Sequence, residues 1–259
     1  MSLGLFLASA GEGLAQHAPG GLGLDVSPAK VEMQIPLGAR YNMPMTVQNS
    51  SGSNIHVVVT PSDFRLNKQG DYEFFKVGES QYSLLKYASI NPREFDLPPG
   101  TTQQVRVTFT MPTSENSMSG EYAGVLFFQT RPERRGRTAV AFSARIAAKM
   151  YGVIPDTAKP GGTVANFTVS RIAQGQRYDV VFRNNGNVHL YLGGYVEVRR
   201  GGEVIDKIAL PPGALVERGM ERVLTVTGKS LPAGSYDAIA AVDYGAPKLV
   251  GGAVKFTVQ

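Results

Sequence analysis

Few residues in this sequence have the types and spacing needed for covalent or metal chemistry. Cysteine is absent, which excludes disulfides, thiolate metal sites and cysteine nucleophiles together. Of the three histidines, His17, His56 and His189, none has a second ligand at metal-site spacing, so all three are expected to be ordinary surface or rim residues. Glu94 with Asp96, and Asp237 with Asp243, are carboxylate pairs of the kind that serve acid–base work or hold a cation. Each pair falls at a turn or strand edge, where acidic side chains keep an outward face wet. No Gly-x-Ser-x-Gly elbow occurs, and the glycine-rich stretches lack the Lys-Ser/Thr of a phosphate loop. With nucleophile, base and orienter all missing, the sequence predicts no catalytic residue, no metal and no cofactor, and the enzyme classes are set aside.

Cations are the remaining chemistry. The net charge is +5, yet basic residues are scattered except in Arg131, Arg134, Arg135 and Arg137, and scattered charge argues against nucleic-acid binding. The arginine-rich stretch reads either as a solvated hairpin tip or as a guanidinium patch for an acidic partner or a lipid head group.

The element placed to organise these groups is the run from Thr138 to Pro155. Val140, Phe142, Ala144, Ile146, Ala148 and Met150 recur at every second position, the period of a strand with one buried face, while Arg145 and Lys149 take the opposite parity. Such a strand fits an edge, whose unpaired backbone groups bind an extended peptide by adding a strand. It fits an interior position equally well.

Around it the chain reads as all-β. Glycine (30) and proline (16) are abundant, and β-branched and aromatic residues come in short blocks between turn signals. Leu24 and Val26 share one parity, Val31, Met33 and Ile35 the other, with Ser27-Pro28 between; the inward face flips at the proline, as when an edge strand crosses between the sheets of a sandwich. Ser83 to Ile90 is expected to be a strand. A length of 259 residues suits two domains. Leu210-Pro211-Pro212-Gly213 follows Leu97-Pro98-Pro99-Gly100 by 113 positions. Gly234-Ser235-Tyr236 follows Gly120-Glu121-Tyr122 by 114. Two landmarks with nearly one offset suggest a duplicated unit, with a tyrosine tying down the corner of each. The reading is two tandem immunoglobulin-like β-sandwich domains, at residues 24–155 and 156–259. Residues 1–23 form a leader that resembles the end of a secretory signal, with small residues around a cut after Ala15. No stretch approaches the roughly 18 apolar residues of a membrane-spanning helix.

These features resemble the PapD-like periplasmic pilus-assembly chaperones. In that family a basic residue precedes a valine on the first strand, and a lysine lies on the last strand of the first domain. Ser27-Pro28-Ala29-Lys30-Val31 and Ala147-Ala148-Lys149-Met150-Tyr151 match these positions. Leu97-Pro98-Pro99-Gly100 followed by Gln103-Gln104-Val105-Arg106-Val107 is similar to the family's proline-glycine turn and the strand behind it. The resemblance implies that Lys30 and Lys149 anchor the terminal carboxylate of a pilus subunit or another envelope protein. It also implies that Val140, Phe142 and Ala144 face that partner, with Arg145 beside them, and that the protein is exported to the periplasm. The second half also resembles Ig-like domains of bacterial envelope proteins, including those associated with WxL surface proteins. That likeness implies a structural or adhesive module binding a surface protein or glycan through loops.

Overall fold

The computed structural model describes residues 23–113, 118–134 and 141–259. The expectations placed on residues 1–22 and on Arg135, Arg137 and Val140 lie outside the described residues.

In the first half the strands run β1 (Leu24–Ser27), β2 (Lys30–Gln34), β3 (Arg40–Asn49), β4 (Ile55–Leu66), β5 (Tyr72–Phe75), β6 (Ala88–Asn91), β7 (Glu94–Leu97), β8 (Thr102–Thr110), β9 (Glu121–Thr130), β10 (Glu133–Arg134), β11 (Ala141–Phe142) and β12 (Arg145–Val153). One sheet has the order β1-β3-β8-β6; the facing sheet has the order β2-β12-β9-β4-β5, with β7 also on β4. Alternating side chains from both sheets, among them Met45, Val57, Val107, Phe109, Leu126, Phe128 and Met150, are buried between them. Burial of such apolar surface drives the packing of the sandwich.

The flip of the inward face at Ser27-Pro28 is a change of sheet. β1 pairs antiparallel with β3, and β2 pairs parallel with β12 in the opposite sheet; the Ser27–Pro28 peptide is cis.

The second half holds β13 (Gly162–Ile172), β14 (Gly175–Asn184), β15 (Leu190–Arg200), β16 (Glu203–Ala209), β17 (Ala214–Val216), β18 (Glu221–Gly228), β19 (Gly234–Asp243) and β20 (Val250–Val258). The order β13-β14-β18 faces β16-β15-β19-β20, with β17 on β15. Tyr178, Phe182, Val196 and Tyr236 fill the space between. Tyr236 Oη donates to the Pro232 carbonyl at 2.6 Å, the corner tie expected of it. The two halves also repeat a device that local sequence pattern does not reveal. Asn49 and Asn184, both buried, end equivalent strands; each donates Nδ2 to the carbonyl four residues on and accepts from the amide two residues on. No helix among the described residues is long and apolar enough to cross a membrane.

Two expected elements differ. Ser83–Ile90 is not one strand: Ser83 makes an isolated bridge, Leu85–Tyr87 is a 3₁₀ turn and only Ala88–Asn91 is extended. The turn lets Leu84 and Leu85 both enter the core, and Leu85 fills space that a side chain at Gly124 would occupy. The run from 138 to 155 is likewise broken. Ala141–Phe142 pairs with Glu133–Arg134, and β12 starts only at Arg145. At the break the Thr130 hydroxyl accepts from the Ala144 amide at 2.9 Å, the Thr130 amide donates to the Ala144 carbonyl, and Ser143 Oγ donates to the Thr130 carbonyl.

Candidate partner-binding site

β12 lies between two strands along only part of its length. β9 pairs with all of it, from Arg145↔Gln129 to Val153↔Glu121. β2 pairs only with Lys149–Val153, and the Lys149 amide donates to the Ala29 carbonyl at 3.0 Å. Among the described residues no strand lies on the other side of Arg145–Ala148. The half-open edge ends at Lys149, whose register partner across the parallel ladder is Lys30. The two lysines are thus neighbours at about 4.8 Å, the spacing of adjacent strands.

Each lysine is steadied by a tyrosine. Lys149 Nζ donates to Tyr72 Oη at 2.8 Å and lies 5.1 Å from the ring centroid; Lys30 Nζ donates to Tyr191 Oη at 2.8 Å, 4.9 Å from its ring. A cation over a ring face is held by the ring quadrupole. Both tyrosines are exposed, and Phe74, stacked on Tyr72, is exposed as well. Behind them Phe64, Val125, Phe127 and Tyr151 form a small apolar cluster on the outward face of the sheet, covered in part by Leu215 from β17. Phe127 meets Phe74 edge-on and carries the Arg145 guanidinium 3.6 Å from its centroid.

The two lysines differ in charge balance. Lys30 pairs with Glu32 at 2.8 Å, and the Glu32 and Tyr191 oxygens raise its pKa above the usual lysine range; Lys30 in turn holds the Glu32 carboxyl low. Among the described residues no carboxylate lies within ion-pair distance of Lys149.

Beside this site the two halves interlock. The His189 side chain is 8% exposed, with Nδ1 2.5 Å from Glu121 Oε2, Nε2 3.4 Å from Glu32 and its ring against Tyr151. Arg218 donates to the Ser119 and Glu121 carbonyls and lies on the Tyr82 ring. At the tip of the β4–β5 hairpin the Lys68 carbonyl accepts from the Val223 amide at 2.8 Å, and Lys68 Nζ reaches Glu221 at 2.6 Å.

The residues expected from sequence fall as follows. Lys30 and Lys149 are brought together, with Arg145 exposed on the same outward face. Ala144 does not face outward: the residue is 7% exposed and belongs to the core of the first half, as do Ala148 and Met150 on the same parity. The alternation that suggested a partner-facing row is the strand's own buried face, because a sandwich strand turns its apolar parity toward its own second sheet. Phe142 lies in β11 with its backbone paired to Glu133, and Arg134 is paired to Ala141. Arg131 is exposed and pairs with Glu94.

The histidine expectations need one correction. His189 is no rim residue, since two glutamates of the other half enclose it. His56 sits between Glu94, 2.6 Å from Nε2, and Asp96, 2.8 Å from Nδ1, and these bonds raise its pKa. The carboxylates take opposite nitrogens of one ring, so their oxygens diverge. Among the described residues no group of three His, Asp or Glu side chains could hold a metal. Asp237 and Asp243 do not meet; Asp237 lies 3.5 Å from Lys255 and Asp243 caps the Gly245 amide.

The fold is similar to that of several solved fimbrial chaperones. Similar solved structures include the class 5 fimbriae chaperone CfaA, at 12% identity and TM-score 0.48 over 90% of this chain and 98% of that one. The CsuC–CsuE chaperone–tip adhesion subunit pre-assembly complex from archaic chaperone-usher Csu pili of Acinetobacter baumannii matches at 12% identity and TM-score 0.45, over 90% and 97%. The Salmonella enterica SafA pilin in complex with the SafB chaperone matches at 14% identity and TM-score 0.42, over 91% and 96%. No protein-family model matches the sequence, and no curated protein matches it.

Proposed function

We propose that this protein is an exported, non-enzymatic periplasmic chaperone-like protein that binds an extended segment of a pilus subunit or other envelope partner. The segment adds as a strand along Arg145–Ala148, and its terminal carboxylate is received by Lys149 and Lys30. Residues 24–155 are the strand-presenting domain, 156–259 the second domain, and 1–23 the export leader. The observation that carries the reading is the half-open edge of β12, which stops at two neighbouring lysines. Unpaired backbone groups supply affinity to any extended chain, and a cation at the end of the track selects a chain that ends there.

The test is titration with a short peptide of alternating valine and threonine, made as the free acid and as the C-terminal amide, followed by amide hydrogen exchange. Binding is expected to slow exchange at 145–148, with Lys149→Ala weakening the free acid about tenfold. If Arg131→Ala weakens partner binding and Lys149→Ala does not, the protein is instead an adhesive envelope module that binds through loops.

A further inference from the structure

The lysine pair is not empty of carboxylate. Glu32 lies two residues beyond Lys30 on β2, so both side chains leave the same face of the strand. Its Oε1 is 2.8 Å from Lys30 Nζ and accepts from Tyr191 Oη at 2.8 Å, while the same hydroxyl accepts from Lys30. Three groups therefore close a ring, with Tyr191 of the second half bridging the acid and the ammonium of the first. The same oxygen is 3.4 Å from His189 Nε2. The Lys30 and Glu32 side chains are 46% and 44% exposed, so another carboxylate reaches them without the fold opening.

Taking the lysine pair as a carboxylate anchor, as above, we infer that Glu32 is an internal competitor for it, occupying Lys30 until a partner's chain end arrives and limiting the site to one incoming carboxylate. The charge count supports this. Counting the two lysines and, among the described residues, the carboxylates within ion-pair distance of them, two ammonium groups and one carboxylate leave a single positive charge, on Lys149, which one chain terminus neutralises. Glu32 also weakens the grip on that terminus by repulsion at short range, and the effect is modest because the site is wet. The anchor then favours release, since Glu32 returns to Lys30 as the carboxylate departs.

The experiment compares wild type, Glu32→Gln and Lys149→Ala, using the valine–threonine peptide as free acid and as amide. Acetate, followed through the NMR signals of the lysine side chains, serves as a probe free of strand addition. Glu32→Gln is expected to tighten the free acid about two- to fivefold, leave the amide unchanged and strengthen the response of Lys30 to acetate. If Glu32→Gln tightens acid and amide alike, or neither, while Lys149→Ala still weakens the acid alone, the anchor stands and the role of Glu32 falls. If acid and amide bind alike and Lys149→Ala changes neither, or if no probe binds, the anchor falls and the inference with it.

Discussion

His189 Nδ1 and Glu121 Oε2 stand 2.5 Å apart, with side chains 8% and 4% exposed, and each comes from a different half of the chain. The His189 amide also donates to Glu121 Oε1 at 3.2 Å. The carboxylate thus has both oxygens engaged by a single residue, which makes this pair a cross-domain lock.

Removing one partner of such a pair strands the other in a low-dielectric site. Either His189→Ala or Glu121→Ala is expected to cost about 3 kcal/mol, whereas the double variant costs clearly less than the two added together. Urea unfolding of the four proteins measures this; strict additivity would mean that the two groups do not interact.

Glu217 predicts a pH dependence. Its Oε2 accepts from the Leu66 amide of the other half at 3.3 Å, its Oε1 is buried without a hydrogen-bond partner, and burial pushes the carboxyl up to about 7. The folded pKa lies above the unfolded value, so the protonated acid is the form that the native state favours. The contribution of Glu217 to stability is therefore greatest below about pH 4.5, falls as pH rises to about 7 and is level above, by on the order of 3 kcal/mol. Glu217→Gln is expected to remove that slope between pH 4.5 and 7 and to raise the melting temperature at pH 8. An unchanged slope would place the titration elsewhere.

Gly70 tests the hairpin contact. Its φ of 93° is in the left-handed region, and a Cβ there would fall within the Arg222 guanidinium. Gly70→Ala is expected to cost about 1 kcal/mol and to speed exchange of the Val223 amide, which donates to Lys68. If the Val223 amide stays protected, the hairpin tip docks independently of Gly70.

Much of the fold was legible from local pattern. Period-two alternation located most strands, the parity flip at Ser27-Pro28 located the change of sheet, and the tyrosine corner appeared at Tyr236. The resemblance paired Lys30 with Lys149 across nearly 120 residues, which alternation alone does not do. What stayed hidden depends on contacts between the halves. Tyr191 and Tyr72 look like ordinary strand aromatics until the domains are set together, and Glu32 looks like one more outward acid. His189 seemed exposed because it follows a turn, and no local signal says that a second domain covers that turn. Ala144 was misjudged for a different reason: alternation reports that one face is buried and not what buries it.

The partial cover that β2 gives β12 has a consequence for measurement along the strand. From Lys149 onward the backbone positions are taken, so a chain laid alongside cannot slide past that point. It counts from a fixed zero, and the open track before it, Arg145 to Ala148, is roughly 13 Å long. A one-residue slip would turn every side chain of the guest to the opposite face. For the strand addition proposed above, the short parallel ladder at 149–153 would be a stop that sets the reading frame of the guest.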